Sequence, residues 1–331
     1  MKKKILVIGS NSFSGSNLVD YLINKKFKVI GVSRSSEINK IFLKYKFNKN
    51  LKNFTFYKAD INKNLSKIVN LIKKEKPNII INFAAQGMVA ESWINPTHWY
   101  LTNFLSMTKL VEIIKNFKFI KKFIQFTTPE VYGDKSGLIK ENFKFNPSTP
   151  YALSRASFDL HLKNLYKVYG FPVIFTRAAN VYGPHQQLYR IIPKFIISAK
   201  KNKNFFLDGM GKTKRSFIHI NDVNDAMYKI IKKGNVGETY HISTNYFVKL
   251  NELVSNISTL LKVNNKNFLK LVKNDRIGKD KSYKLSSNKI RKKLKWKNKI
   301  SLNNGIIDTI NWININYKLL NKLSLKYKHK K

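Results

Sequence analysis

Short apolar runs rich in β-branched residues alternate with amphipathic segments along this chain, and that alternation constrains its fold more than any other feature. The first run, Lys4–Ile8, leads directly into the small polar loop Gly9-Ser10-Asn11-Ser12-Phe13-Ser14-Gly15 and then into LVDYLINKK. This reads as strand, tight loop and helix. Further apolar runs stand at Lys28–Ser33, Phe54–Tyr57, Asn78–Phe83, Phe123–Thr127 and Phe171–Arg177, with helical patterns at Leu65–Lys74, from Thr102, and from Tyr151 to Tyr169. Such an order predicts an α/β fold: a doubly wound parallel sheet with its ligand at the carboxyl ends of the strands.

The Gly9 to Gly15 loop suits a pyrophosphate, because small residues let the backbone come close and the helix N-terminus offers free N–H groups at a positive dipole end. The usual middle glycine is replaced here by Ser12. Arg34-Ser35-Ser36 follow the second strand with no acidic residue among them. An acid there holds a free ribose 2′-hydroxyl and an arginine accommodates a 2′-phosphate, so the pattern favours NADP over NAD. Arg34 reads equally as a solvated or adenine-stacking arginine.

Composition narrows the remaining classes. No cysteine is present, which excludes disulfides, thiolate nucleophiles and zinc-thiolate sites and suits a reducing compartment. The opening apolar run breaks off in a polar loop, unlike a signal peptide, and no run approaches the ~18 to 20 apolar residues of a membrane span. A soluble cytoplasmic protein without membrane contact is expected. Lys and Arg number 63 against 18 Asp and Glu, for a net charge of +45, yet the basic residues spread over the whole length. A nucleic-acid module concentrates charge and aromatics on one face, so compositional drift is the better reading and no nucleic-acid partner is expected. The last residues, KLSLKYKHKK, form a basic tail read as a frayed, solvated end. The six histidines are scattered without ligand spacing, so no metal site is expected.

The stretch Phe126 to Arg155 brings together candidate chemistry. Thr128 and Glu130 close an apolar strand, while Tyr151 and Arg155 open a helix four residues apart and share a face. A cation beside a phenol favours the ionised form, and such a tyrosine can accept a proton from a hydroxyl while a nicotinamide takes the hydride. Beyond Ala178 the texture becomes irregular, while Phe217–Asp222, the helix after it and the strand Glu238–Ile242 rejoin the sheet. The expected division is 1–180 for the dinucleotide-binding part, rejoined by about 216–243, and 181–331 for a smaller mixed α/β lobe ending in the basic tail.

Nine pieces occur in one order: the Gly9 to Gly15 loop, Asp60-Ile61, FAAQ at Phe83–Gln86, TPEVYGD at Thr128–Asp134, PYALSRAS at Pro150–Ser157, TRAANVYGP at Thr176–Pro184, IIPKFI at Ile191–Ile196, GKTKRSFIHINDV at Gly211–Val223 and DRIGKDKSYKLSSNKI at Asp275–Ile290. From Lys4 to about Trp296 the chain thereby resembles the extended short-chain dehydrogenase/reductase superfamily, and within it the NAD(P)-dependent nucleotide-sugar 4,6-dehydratases of the dTDP-glucose type. The resemblance implies a Rossmann-like sheet with a nucleotide-sugar-binding lobe, a tightly held NAD or NADP, a nucleotide-diphosphate sugar as substrate, and a homodimer formed through helices near Thr102–Lys115 and Pro150–Tyr169. It implies oxidation at sugar C4, loss of water across C5 and C6, and return of the hydride to C6. Residue by residue, Tyr151 becomes the base at O4, Thr128 its hydrogen-bonding companion and Glu130 the base at C5, with Arg155 beside Tyr151. Gly9, Asn11, Ser12, Phe13, Ser14, Gly15, Arg34, Asp60, Ile61, Ala84, Ala85, Gln86 and Asn103 fall along the cofactor with Tyr151 and Arg155. Gln86, Glu91, Asn180, Lys194, Arg215 and Arg276 fall along the substrate, where arginine suits a diphosphate through its bidentate fork.

Two departures stand out. The family has lysine where this chain has Arg155, and dTDP-glucose dehydratases have an aspartate where this chain has Pro129, which offers no side-chain proton donor. GDP-mannose dehydratases carry a serine there, so water, Thr128 or Glu130 itself is left to protonate the leaving hydroxyl. The alternatives are a 4-epimerase, decarboxylase or 4-keto reductase of the same fold, and a binder that keeps the pocket without the chemistry.

Overall fold

The computed structural model describes residues 3–275, 278 and 283–330. Seven parallel strands form its central sheet: β1 (Lys4–Ile8), β2 (Lys28–Ser33), β3 (Phe54–Lys58), β4 (Ile79–Asn82), β5 (Lys122–Thr127), β6 (Val173–Ala178) and β7 (Thr239–Ile242). They lie in the order β7-β6-β5-β4-β1-β2-β3, so the winding reverses beside β1. Ile5 pairs with both Val29 and Ile79, which makes β1 an interior strand. Both its faces are covered, hence its unbroken apolar run.

Successive β1 side chains serve opposite faces. Ile5 and Val7 join Leu18, Val19, Leu22 and Ile23 of α1 (Phe13–Asn24) on one side. Leu6 and Ile8 meet the other helices, α2 (Leu65–Glu75), α3 (Ser106–Ile114) and α4 (Pro150–Tyr169), through Ile68, Leu110 and Phe158. Period two in the strand and period 3.6 in the helices are thus satisfied together. The helix α5 (Ile191–Lys200), with two helices further on at Leu250–Leu261 and Leu302–Ile315, encloses a third core around Phe195, Leu253 and Ile310. Between them, α6 (Ile220–Lys233) returns to the first face through Val223 and Met227 and feeds β7, which pairs with β6. Helices α7 (Leu250–Leu261) and α8 (Leu302–Ile315) complete the smaller mixed part. Among the described residues no helix is long and apolar enough to cross a membrane.

The basic tail departs from expectation. Rather than fraying, it runs back across the carboxyl ends of the strands, and Leu325, Tyr327 and Lys330 help to line the cleft there. Its alternate apolar and aromatic side chains find surfaces that exist only once the sheet and α5 have packed.

Candidate active site

At the carboxyl edge of the sheet lies a cleft of about 1260 Å³. The Gly9 loop forms its floor. Gly9 has φ +87°, and a Cβ there would sit 2.6 Å from the Ala84 backbone nitrogen, so loop and β4 approach closely only with glycine. Ser12 caps α1: its Oγ accepts from Gly15 N–H at 3.0 Å and donates to the Gly9 carbonyl at 2.7 Å. The hydroxyl that replaces the middle glycine is therefore folded into the loop. Asn11 Nδ2 donates to the carbonyls of Ser35 and Ser36, both at 3.2 Å, tying the loop to the segment after β2.

The chemical groups come from two elements. After β5, Thr128 caps a short 3₁₀ turn over Pro129–Tyr132, its Oγ1 accepting from Glu130 N–H at 3.3 Å. Helix α4 begins with Thr149 as cap and Pro150 in its first turn, and ends at Gly170 in the left-handed region, which sets Tyr151 in the first turn. Tyr151 hydrogen-bonds Thr128. Burial raises the Tyr151 pKa first, and the Glu130 charge raises it further, while Arg155, Thr128 and Arg190 pull it back. The pull of the Arg155 charge on the phenol works against the larger effects of burial and of Glu130. Arg155 is buried and its Nη2 donates to the Phe126 carbonyl.

Around the cleft stand Gly9, Asn11, Ser12, Phe13, Ser14, Arg34, Asp60, Ile61, Ala84, Ala85, Gln86, Glu91, Thr128, Glu130, Tyr151, Arg155, Asn180, Lys194 and Arg215. Gly15 lies within the first turn of α1, and Asn103 is fully buried behind Gln86, so neither is among the lining residues. Arg215 stacks over Tyr283 with its guanidinium carbon 4.5 Å from the ring centre. Arg276 lies outside the described residues. Sequence reasoning passed over Arg190, whose charge bears on Tyr151, and Tyr327 and Lys330 of the tail. Arg190 had no motif to mark it; the tail had a readable alternation.

A dinucleotide fits the residues present. The glycine-floored loop and the capped α1 N-terminus suit a pyrophosphate. The buried Arg155 Nε and Nη1 have no hydrogen-bond partner among the described residues, leaving donors at the cleft for ribose hydroxyls.

The family model described as GDP-mannose 4,6 dehydratase matches residues 6–309. The chain belongs to this family. Its relatives include human dTDP-D-glucose 4,6-dehydratase, 31% identical over 326 residues that cover 95% of this chain and 91% of that one. Among solved structures, dTDP-glucose 4,6-dehydratase from Bacillus anthracis in complex with NAD superposes with a TM-score of 0.86 at 31% identity, covering 96% and 98% of the two chains. The UDP-glucose 4-epimerase of Thermotoga maritima, with UDP-glucose, gives 0.84 at 26% identity over 95% and 99%. This is the extended short-chain dehydrogenase/reductase fold of nucleotide-sugar dehydratases and epimerases, and the chain is an enzyme of that class.

Proposed function

We propose that this family member is a 4,6-dehydratase acting on dTDP-glucose or a similar nucleotide-diphosphate hexose, with Tyr151, Thr128, Glu130 and Arg155 as its reacting and cofactor-facing groups. The observation that carries the reading is that Tyr151 and Glu130, delivered by separate elements, share one cleft closely enough for the Glu130 charge to raise the Tyr151 pKa. When bound, the nicotinamide supplies the hydride acceptor for sugar C4 and the donor for C6. Tyr151 Oη takes the C4 hydroxyl proton, with Thr128 orienting the phenol and Arg155 favouring its anion. Glu130 removes the C5 proton once the C4 carbonyl has acidified it. Pro129 has no donor to offer, so Glu130, now protonated, returns that proton to the C6 hydroxyl as it leaves as water. The carboxylate is thereby restored, and as the hydride returns to C6 the proton that Tyr151 took from the C4 hydroxyl would pass through Glu130 to C5, so atoms balance and the phenolate is restored as well. Asn180, Lys194, Arg215 and Arg190 would hold the diphosphate end.

Incubation with dTDP-glucose should yield a 4-keto-6-deoxy product recognised by its absorbance in alkali. The second reading, epimerisation at C4, has the likeness to the Thermotoga epimerase in its favour; recovery of only a C4 epimer would overturn dehydration.

The cofactor would be held by the Gly9 loop, Arg34, Asp60 and Arg155. The nearest acid after β2, Glu37, is engaged by Tyr45 at 2.8 Å and Lys46 at 2.6 Å, which supports acceptance of a 2′-phosphate and hence NADP alongside NAD. Titrating both dinucleotides would rank them. A homodimer is proposed through the exposed apolar residues Leu105, Ile113, Leu153 and Leu160 of the helices after Leu101 and Pro150, and sedimentation would test it. The cysteine-free composition supports a cytoplasmic setting.

A further inference from the structure

The tail is laid out as an extended ribbon. Leu323, Leu325, Tyr327 and His329 are half-buried, while the residues between them, mostly lysines, are exposed; period two is what a chain with one face on a surface shows. Each inward side chain has a seat. Leu323 and Leu325 pack on the third core. Tyr327 meets Tyr189 edge-on, ring centres 5.2 Å apart. His329 stacks on Trp99 at 5.0 Å and on His98 at 5.2 Å, with its Nε2 2.9 Å from His98 Nδ1.

The ribbon ends across the groove itself. The Lys330 carbonyl accepts from Gln86 Nε2 at 2.9 Å and from Arg34 Nη1 at 3.1 Å, and Lys330 Nζ reaches Ser35 Oγ at 3.3 Å. Gln86 follows β4 and Arg34 follows β2, and β1 with its Gly9 loop runs between those strands. One peptide therefore spans the point where the winding reverses.

Resting on the reading of this groove as the dinucleotide site, we infer that Lys326–Lys330 is a strap that has to lift before a nicotinamide dinucleotide can enter. Its carbonyl occupies two of the groove's own donors, Arg34 and Gln86. Stacking contacts and a few hydrogen bonds hold it, so it opens locally while the sheet stays folded. Only the open fraction admits ligand, and apparent association slows by that fraction. The exposed lysines leave positive charge at the mouth, which draws a pyrophosphate toward an entrance the peptide still covers.

The test is stopped-flow binding of NADH, followed by energy transfer from protein tryptophan to the reduced nicotinamide. Three proteins are compared: the full chain, a chain ending at Leu325, and full-length His329→Ala, which keeps every lysine and so separates the anchor from charge steering. Association about tenfold faster in both variants, with melting transitions close to that of the full chain, is the expected result. Equal association in all three overturns the strap and leaves the groove's assignment standing. Failure of NADH and NADPH to bind any of the three overturns both.

Discussion

Asn103 completes both hydrogen bonds of the Gln86 peptide: its Oδ1 accepts from the Gln86 N–H at 2.8 Å and its Nδ2 donates to the Gln86 carbonyl at 3.0 Å. The same Nδ2 reaches Ser154 Oγ at 3.0 Å. The loop after β4 is thereby fastened to the first turns of α4, three residues from Tyr151. Asn103 sits in a π-helical stretch, Leu101–Leu105, a widened turn that often marks a functional site.

Replacing Asn103 by alanine strands a buried donor and acceptor at Gln86. Urea unfolding should report a loss of about 2–3 kcal/mol. A midpoint unchanged from the parent would show that water or a neighbour takes over both bonds.

Glu130→Gln keeps the shape of the site and removes the carboxylate proposed as the base at C5. Turnover should fall about 10²–10⁴-fold, while hydride transfer from C4 survives and reduced nicotinamide accumulates on the enzyme. Its absorbance distinguishes this from a general loss of binding, in which no reduced cofactor appears.

Tyr151 must lose its proton to act as a base, and burial with the Glu130 charge makes that harder while Arg155 makes it easier. Removing the cation raises the phenol's pKa, so the rise of kcat/KM with pH should move about one unit to the alkaline side in Arg155→Met. Arg155→Lys should keep the parental position. Superimposable profiles for the parent and Arg155→Met would remove Arg155 from this role.

His241 is fully buried, within 2.8 Å of Tyr132 Oη through Nε2 and 3.2 Å of the Ser286 carbonyl through Nδ1. Burial, with the nearby Arg177 charge, holds its pKa well below the usual imidazole range. In the unfolded chain it titrates near about 6.5. Below that pH the unfolded chain takes up a proton that the folded chain refuses, so stability falls as pH drops from there to the folded pKa. The carboxylates of half-buried Glu141 and of buried Asp159 and Asp222 have pKa values raised by desolvation and act in the opposite sense. They are common to parent and His241→Gln, so the difference in slope isolates the histidine, at up to about 1.4 kcal/mol per pH unit. Parallel pH profiles would rule it out as the group concerned.

Arg177 and Asp159 are both fully buried and paired at 2.9 Å, and Arg177 Nη1 also donates to Tyr132 Oη at 3.1 Å. Asp159→Leu should cost about 3–5 kcal/mol, because the guanidinium is left charged without its carboxylate. Replacing both, as Asp159→Leu with Arg177→Met, should recover most of that loss in thermal melts.

Much of this molecule was readable from the chain alone because the information is local. A β-branched run followed by a small polar loop, and the Thr149-Pro150 start that sets Tyr151 and Arg155 one turn apart, are dictated by neighbours along the chain: strand pleat, helix period and capping hydrogen bonds. What those positions meet is not local. That Glu130 faces Tyr151, that Asn103 turns inward to serve Gln86, and that Arg190 bears on the phenol follow from which elements pack together. The tail shows the division most plainly. Its alternation of lysine with leucine, tyrosine and histidine was visible from the start, but the Trp99 and Tyr189 surfaces that receive it, and the Arg34 and Gln86 donors it bridges, are assembled only by the folded sheet.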